Sequence, residues 1–349
     1  MADRYAKVPL RFTAGADTAD GRLEIAGTGS GAFRVGVASL MPADNVSGFR
    51  ASTIRWLKEL GVEIARWPGG NFVSAYDWRD GVGDRDLRPP RRELAWSGLE
   101  SNDMGIDDFM TFCRLVGAEP YLAVNSGLGD AHSAAEEVEY VNGAATTRLG
   151  ALRARNGHPA PYGVRIWGVG NEMYGPWQWG HLQITQYAEK HDFMVRAMRQ
   201  ADPTIEVIAS GATPEEASWC YIENRQLGTF PERETVSDPL PFPIGGKQDW
   251  TGALLERTPD SIDYLGEHFY GYPNLYVDAA SLKFVASDEP MELKVRRLSN
   301  QVQFKFEAWD EYVKGCRARG AEHPLRLRRV VAAEPGGGRR RAARQSPRC

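Results

Sequence analysis

The chain has 349 residues, which is enough for one large domain or two ordinary ones. Hydrophobic residues make up 42% of it and charged residues 25%, proportions typical of a soluble globular protein. The formal net charge of -4 gives no reason to expect nucleic acid or an anionic membrane as a partner, so the composition excludes both as first hypotheses.

The N-terminus and the cysteines bear on the cellular compartment. The first residues contain no apolar signal-peptide core, and no stretch approaches about 18 consecutive apolar residues, the length of a membrane span. The cysteines lie far apart without a CxxC spacing, and three of them lie in or beside apolar text, so we expect buried free thiols. They are Cys113, Cys220, Cys316 and Cys349. The sequence therefore favours a cytoplasmic protein.

Strand-like and helix-like segments alternate along the chain, which predicts a parallel sheet with covering helices. The segments with the apolar pattern of strands are residues 33–39, 63–67, 120–125, 164–170, 205–210 and 261–266. The helices predicted between and after them cover residues 49–60, 107–115, 134–141, 185–200 and 290–299. This order of elements is typical of a (β/α) barrel.

Three stretches depart from the alternation. A loop from about residue 68 to residue 103 is rich in Gly, Pro, Arg and Asp, and loops this long in compact domains are usually functional. Residues 212–259 are less regular and are predicted to hold a further helix and a loop over the cleft. Residues 302–314 alternate at their start like a short strand, yet their apolar positions also share one helical face, and we favour the helix.

The C-terminal residues 315–349 differ in composition from the rest of the chain. They are dense in Arg, Ala, Gly and Pro and show no sustained periodicity, so we predict a disordered tail. A basic tail can be a nucleic-acid arm, but the rest of the chain has no matching basic face. A lost reading frame in GC-rich DNA accounts better for this aberrant Arg-rich segment.

The most informative segment is the fourth predicted strand, which stops at Asn171 and Glu172. A carboxylate where an apolar strand ends, with an amide beside it, is how a (β/α)8 barrel presents a catalytic acid. Tyr174 and Trp177 follow closely and offer aromatic faces for stacking on sugar rings. A solvated loop charge is the alternative for an isolated Glu, but this context favours glycoside hydrolysis.

Glycosidases need two carboxylates across the scissile bond, one to protonate the leaving oxygen and one to act as nucleophile or base. Glu172 is the first candidate. Glu311 is a second candidate only if its segment is a strand, because on the helical interpretation it is a solvated charge on the helix surface. An ionised nucleophile nearby would raise the pKa of Glu172, which would then hold its proton at higher pH than a free Glu does.

Longer motifs carry a resemblance to one enzyme family. They are residues 66–74 (RWPGGNFVS), 76–81 (YDWRDG), 124–127 (VNSG) and 168–181 (GVGNEMYGPWQWGH). These motifs closely resemble the signature of the family 51 α-L-arabinofuranosidases, and the similarity extends over roughly residues 33–314.

The resemblance implies an α/β fold, the (β/α)8 TIM barrel, here incomplete at its last one or two strands and lacking the C-terminal β-sandwich of the family. On this interpretation residues 1–32 are N-terminal strands that would belong to such a sandwich. Residues 33–314 are then the barrel catalytic domain, and residues 315–349 are the aberrant tail.

The resemblance also implies a retaining, exo-acting hydrolase that releases terminal α-L-arabinofuranosyl residues through a covalent arabinosyl-enzyme, without a metal or organic cofactor. Glu172 matches the acid/base of the family. The family's nucleophile lies in an Asp-Glu-Trp motif, and the nearest text here is Asp310-Glu311-Tyr312. Either Glu311 is that nucleophile, or the nucleophile was lost with the reading frame beyond Lys314. The alternative to an enzyme is an inactive truncated remnant or a sugar-binding module of the same fold.

The same resemblance assigns substrate contacts. Asn171 matches the amide that binds the sugar 2-hydroxyl, while Trp96 either stacks on the aglycone or packs within its own loop, and His181 is functional or structural. The positions expected at the substrate are Arg66, Asn71, Trp96, Asn171, Trp177, Gln178, His268 and Tyr270. The expected partner is an arabinofuranosyl-containing oligosaccharide, with no nucleic acid and no membrane; self-association into a homo-oligomer stays open.

Overall fold

The computed structural model describes residues 6–36, 38–212, 250–268, 275–278, 283–286, 288, 290–295 and 314. The chain divides into two units, residues 1–53 and 54–349. In the first unit, the described residues up to 50 are almost all exposed and form no helix or strand apart from an isolated bridge between Val46 and Phe49.

The strand predicted over residues 33–39 is therefore not formed in the described residues 33–36 and 38–39, which are exposed. The alternation of apolar and polar residues in this stretch is real, but a strand also needs a hydrogen-bonded neighbour. The described part of the chain places no strand beside these residues. Residues 6–32, expected to be strands of a sandwich, likewise show no strand.

The second unit is built on a parallel sheet with the strand order β1-β4-β5-β6-β7. In chain order the strands are β1 (Ile64–Trp67), β2 (Arg91–Arg92), β3 (Leu99–Glu100), β4 (Glu119–Val124), β5 (Ile166–Val169), β6 (Glu206–Ser210), β7 (Tyr264–Gly266), β8 (Leu275–Asp278) and β9 (Lys283–Ala286). The pairs β2–β3 and β8–β9 are short antiparallel hairpins outside this sheet. The other five predicted strands are thus confirmed within a few residues.

Helices connect the parallel strands. They are α1 (Ala51–Leu60), α2 (Ile106–Val116), α3 (Ala131–Asn142), α4 (Arg148–Arg155), α5 (Ile184–Ala201) and α6 (Trp250–Arg257). Residues 291–295 add a further helical turn, the described start of the helix predicted from residue 290. The other predicted helices match α1, α2, α3 and α5, and α6 lies in the less regular region where a further helix was expected. Within the described ranges, none of these helices is long and apolar enough to cross a bilayer.

Local signals fix where the helices begin and end. The Asp130 carboxylate accepts a hydrogen bond from the Ser133 N–H and caps α3, and the Thr147 hydroxyl accepts one from the Gly150 N–H at the start of α4. Helix α2 stops at Gly117, whose φ of 86° is a left-handed conformation that glycine adopts without strain.

Helix α4 was not predicted from the sequence. The buried face of α4 contains Arg153, which is fully buried and interrupts the apolar spacing. The guanidinium donates to the main-chain carbonyls of Tyr140, Val141 and Gly143, so that a charged side chain holds the turn between α3 and α4 together. A pattern of apolar spacing cannot show such a helix.

The register of the sheet brings the carboxyl ends of its strands to one edge. Trp67 pairs with Leu122, Val124 with Val169, and Val169 with Ala209. The polar segments that follow the strands, residues 125–127, 170–172 and 267–268, therefore meet at that edge, where α/β sheets carry their sites. The core beneath contains the fully buried Trp167 of β5.

Candidate active site

The chain reverses sharply where β5 ends. Gly170 has a φ of 84°, and a Cβ there would overlap the Ser126 side chain, so this position requires glycine. Glu172 has a φ of 43°, in the left-handed region that non-glycine residues seldom adopt. Strained backbone of this kind is concentrated at functional sites, where surrounding contacts hold it in place.

Both carboxylate oxygens of Glu172 are held by side chains. His268, which follows β7, places its Nδ1 2.6 Å from Oε1, and the Trp177 indole Nε1 donates to Oε2 over 2.7 Å. The residue is only 7% exposed. The carboxylate is therefore fixed in one orientation rather than solvated, which excludes the alternative of a free loop charge.

The pKa of Glu172 is lowered, the opposite of the direction expected from the sequence. Burial by itself raises the pKa, but the hydrogen bond and charge of His268, the Trp177 indole and the charge of Arg66 together outweigh it. The raised pKa was predicted from an ionised nucleophile beside Glu172. Glu311, the residue proposed for that role, lies outside the described residues.

A chain of hydrogen bonds fixes the amide of Asn171. Arg66, near the end of β1, donates through Nη2 to the Asn171 Oδ1 over 2.5 Å. The Asn171 Nδ2 donates in turn to the Gln178 Oε1 over 3.3 Å, and Gln178 donates to the Ser74 hydroxyl. The amide of Asn171 thus has a defined orientation at the edge of the sheet.

The Arg66 guanidinium lies over the Tyr121 ring at 5.7 Å, and its Nε is buried without a hydrogen-bond partner in the described part of the chain. Asn71 takes part through its main-chain carbonyl, which accepts from the Gln178 Nε2 over 3.4 Å. Gly70 precedes it with a φ of 61°, so a left-handed glycine makes the turn into this segment.

Comparison with known proteins identifies the arrangement. Residues 56–239 match the α-L-arabinofuranosidase 1 domain. The chain belongs to the family 51 α-L-arabinofuranosidases. Similar to it is a crystallised family 51 α-L-arabinofuranosidase from Bifidobacterium longum, with a TM-score of 0.55 and 37% identity, covering 66% of this chain and 41% of that one.

Two further relatives agree with this assignment. The Thermotoga maritima α-L-arabinofuranosidase in complex with arabinose has a TM-score of 0.54 and 37% identity, covering 69% of this chain and 42% of that chain. An intracellular exo-α-(1→5)-L-arabinofuranosidase of Bifidobacterium longum is 36% identical over 270 residues, 76% of this chain and 43% of the relative. The chain thus spans less than half the length of these relatives.

Membership in the arabinofuranosidase family confirms the predicted fold class. The five described parallel strands and their helices correspond to part of the α/β barrel of the family, with β1, β4, β5, β6 and β7 as neighbouring strands in chain order. Residues 301–313, where the strand or helix containing Glu311 was expected, and the tail 315–349 lie outside the described residues.

The remaining residues that were predicted at the site of the arabinofuranosidase differ in their surroundings. Trp96 is 72% exposed at the tip of the β2–β3 hairpin, so its ring does not pack within its own loop. His181 places its Nδ1 3.2 Å from the Gln178 carbonyl oxygen, which fits the structural alternative. Tyr270 lies outside the described residues.

Glu267 was overlooked in the sequence. It follows the apolar strand β7 just as Glu172 follows β5, and it is only 3% exposed. Its Oε1 accepts a hydrogen bond from the Thr251 hydroxyl of α6 over 2.8 Å. The neighbouring His268 contacts Glu172 instead. Of these two successive residues after β7, Glu267 therefore contacts the helix layer and His268 contacts the site at the edge of the sheet.

Proposed function

We propose that this chain is a retaining, exo-acting α-L-arabinofuranosidase that releases terminal non-reducing α-L-arabinofuranosyl residues from arabino-oligosaccharides. The observation that supports this most is the Glu172 carboxylate at the carboxyl end of β5, held through both oxygens beside the fixed amide of Asn171. A retaining glycosidase needs one such carboxyl group to serve first as acid and then as base.

In the proposed first step the carboxyl group of Glu172 protonates the glycosidic oxygen while a second carboxylate attacks the anomeric carbon. The bond to the aglycone breaks, and a covalent arabinosyl-enzyme forms. In the second step the Glu172 carboxylate removes a proton from water, and the water oxygen displaces the enzyme carboxylate. The sugar leaves with its original anomeric configuration. The nucleophile in this proposal is Glu311 if its segment is a strand, and otherwise a carboxylate lost with the reading frame beyond Lys314.

The lowered pKa of Glu172 fits the second of these steps. Its contacts with His268 and Trp177 favour the ionised form, which is the base that activates water. An ionised nucleophile nearby would oppose these contacts and favour the protonated form needed for the first step. Formation of the arabinosyl-enzyme removes that charge, and the lowered pKa then returns.

Substrate contacts follow from the same edge of the sheet. We propose that Asn171, oriented by Arg66 and Gln178, binds the sugar 2-hydroxyl, a contact that strengthens as the oxocarbenium-like centre develops. By the family resemblance, we propose that Arg66 and Asn71 hold the furanose and that His268 and Tyr270 act near the reacting carbon. Trp96, exposed at its hairpin tip, offers a ring for the aglycone.

The expected partners are arabinofuranosyl-containing oligosaccharides in the cytoplasm. Support comes from the Bifidobacterium longum relative, whose name describes an intracellular exo-acting enzyme for α-(1→5) linkages. The net charge of -4 supports neither nucleic acid nor an anionic membrane as a partner. The proposed mechanism requires no metal or organic cofactor.

Hydrolysis of 4-nitrophenyl α-L-arabinofuranoside tests this proposal. We expect Glu172→Ala to lower kcat by at least about 10²-fold, and added azide to restore turnover with α-L-arabinofuranosyl azide as the product. The retained configuration arises because azide attacks the arabinosyl-enzyme in place of water. As a control, Glu119→Ala removes an exposed carboxylate paired with Arg165 at the start of β4 and should hydrolyse like the parent. A parent chain that does not hydrolyse the substrate contradicts the proposal.

The configuration of the azide product also decides the role of Glu311. If Glu311 is the nucleophile, Glu311→Ala should be inactive in buffer and should form the inverted β-L-arabinofuranosyl azide, because azide then attacks the substrate directly. Nuclear magnetic resonance of the product distinguishes the two anomers. Parent-like hydrolysis by Glu311→Ala contradicts this role.

A sugar-binding module without turnover is the second candidate. The observation that favours it is the pairing of Glu172 with His268 and Trp177, which stabilises the ionised carboxylate and opposes proton donation. On this alternative L-arabinose binds in calorimetry, Asn171→Ala weakens the binding, and no aryl arabinofuranoside is cleaved at any pH.

A further inference from the structure

We propose that Trp177 is a positioning residue that holds Glu172 through its indole N–H, and that Gly175 makes this position available by having no side chain. The inference rests on the proposed acid/base role of Glu172. It assigns Trp177 a contact with the enzyme's own carboxyl group rather than with the sugar alone.

The loop after β5 brings Trp177 back over Glu172 by a series of turns. The Gly175 N–H donates to the Glu172 carbonyl over 2.7 Å, and the Gln178 N–H donates to the Gly175 carbonyl over 3.0 Å. The His181 N–H then donates to the Gln178 carbonyl, and the Leu182 N–H closes the loop on the Met173 carbonyl. Residues 172–182 thus hold their shape through their own backbone.

Gly175 lies under the indole. A Cβ built on it would lie 2.6 Å from the Trp177 Cζ2 and 2.7 Å from Nε1, much closer than van der Waals contact allows. The backbone of Gly175 is not in the left-handed region, so alanine brings no backbone strain there. The absence of a side chain therefore lets Nε1 approach the Glu172 Oε2.

An aromatic cluster also contacts the indole. The Tyr174 ring meets Trp177 edge-on, with centroids 6.3 Å apart, and meets Trp250 of α6 at 5.8 Å. The Trp250 Nε1 donates to the Ser210 carbonyl at the end of β6. The position of Trp177 is thus tied to the layer of helices, which limits its motion independently of any bound sugar.

The hydrogen bond from Trp177 affects the pKa of Glu172. Trp177 occupies an acceptor site on Oε2, while His268 contacts Oε1, and Arg66 is the further charged group that acts on the carboxylate. The indole N–H can only donate, so it stabilises the ionised carboxylate more than the protonated carboxyl group. Loss of this donor should raise the pKa of Glu172.

Carbon-13 NMR of glutamate carboxyl groups tests this without turnover. We expect the Glu172 signal, assigned by its loss in Glu172→Gln, to titrate at higher pH in Trp177→Phe than in the parent. Phenylalanine keeps an aromatic face, so a role in sugar stacking alone predicts no change in the free protein. Gly175→Ala should shift the titration in the same direction, because the new Cβ displaces the indole.

Trp179→Phe is the matched control. Trp179 lies in the same loop and its indole donates to the Leu94 carbonyl over 3.2 Å, away from Glu172. Its replacement should leave the Glu172 titration unchanged. A parent-like titration in Trp177→Phe overturns the proposal, as does an equal shift in Trp179→Phe, which indicates general loosening of the loop. A shift in Trp177→Phe without one in Gly175→Ala overturns the role of Gly175.

A kinetic measurement separates positioning from binding. If the chain hydrolyses arabinofuranosides, Trp177→Phe should lower kcat for an alkyl arabinofuranoside, whose leaving group needs protonation, more than for a 2,4-dinitrophenyl arabinofuranoside, which needs none. Equal losses on both substrates contradict positioning of the acid. An inactive parent chain refutes the proposed function, while the NMR titration still decides the contact.

Discussion

Replacing Glu137 by glutamine is expected to remove a loss of stability that the parent chain suffers between acidic and neutral pH. Glu137 lies on α3 and is only 3% exposed, and its Oε1 has no hydrogen-bond partner among the described residues. Burial raises its pKa to about 8, although the charge of Arg79 partly opposes this shift. The folded chain therefore holds a proton on Glu137 at pH values where the unfolded chain has released it.

This bound proton sets the direction in which the free energy of unfolding changes with pH. Below the ordinary pKa of Glu, Glu137 is protonated in both the folded and the unfolded state, so it does not lower the free energy of unfolding. As the pH rises from there towards about 8, the unfolded state gains the free energy of ionisation and the folded state does not. The free energy of unfolding should fall by about 1.4 kcal/mol per pH unit over this range, about 5 kcal/mol in total. Above it the loss is constant.

Urea denaturation at pH 5, 7 and 9 measures this effect. Glu137→Gln stays neutral at every pH, so the variant should be only slightly more stable than the parent at pH 5 and clearly more stable at pH 7 and 9. Glu136→Gln is the control on the same helix. Glu136 pairs with Arg79 and Arg148, and although its partial burial raises the pKa, these contacts lower it overall, so its loss should not stabilise at high pH. Parallel pH profiles for Glu137→Gln and the parent refute the prediction.

Replacing Arg153 by methionine is expected to destabilise the chain by about 4 kcal/mol, through buried carbonyl groups left without donors. The guanidinium is fully buried and binds five main-chain oxygens, those of Tyr140, Val141, Gly143, His158 and Pro159. Methionine fills much of the volume but donates no hydrogen bond. Burial lowers the pKa of Arg153, yet a guanidinium stays charged at any ordinary pH.

Two further variants make this prediction specific. Lysine can donate three hydrogen bonds, so Arg153→Lys should lie between the parent and Arg153→Met. Arg155→Met changes an exposed arginine of the same helix and should alter the free energy of unfolding by less than about 0.5 kcal/mol. Chemical denaturation at one pH compares all four proteins. If Arg153→Met and Arg155→Met are equally stable, the carbonyl contacts do not contribute as proposed.

The two predictions concern residues for which the apolar pattern of the sequence predicts the wrong environment, solvent instead of the protein interior. A glutamate or an arginine on a helix is expected to face solvent, because burial of an unpaired charge is costly. Glu137 and Arg153 are nevertheless buried, the first as a neutral carboxyl group and the second within a set of carbonyl acceptors. The buried side of α3 depends on its packing against α5, and the buried side of α4 depends on the turn after α3. The local spacing of apolar residues specifies neither.

The candidate site shows the same division. The sequence located Glu172, because a long apolar run followed by an amide and a carboxylate is typical of a barrel strand that ends at a catalytic site. By resemblance to the family it also predicted His268 near the reacting centre, a role that stays a prediction. It could not show that Trp177 contacts this carboxylate or that the pKa of Glu172 is lowered. Those results depend on how the loop after β5 turns and on which atoms lie within a few ångströms.

The sequence by itself determined the parallel strands of the sheet, most of the helices and the family to which the chain belongs. It did so because apolar periodicity and long motifs are local properties that a chain carries whether or not it is folded. The tertiary structure alone decided the pairing of Arg66 with Asn171, 105 residues apart, and of His268 with Glu172. Such contacts arise from strand register, which brings distant chain segments to one edge of the sheet.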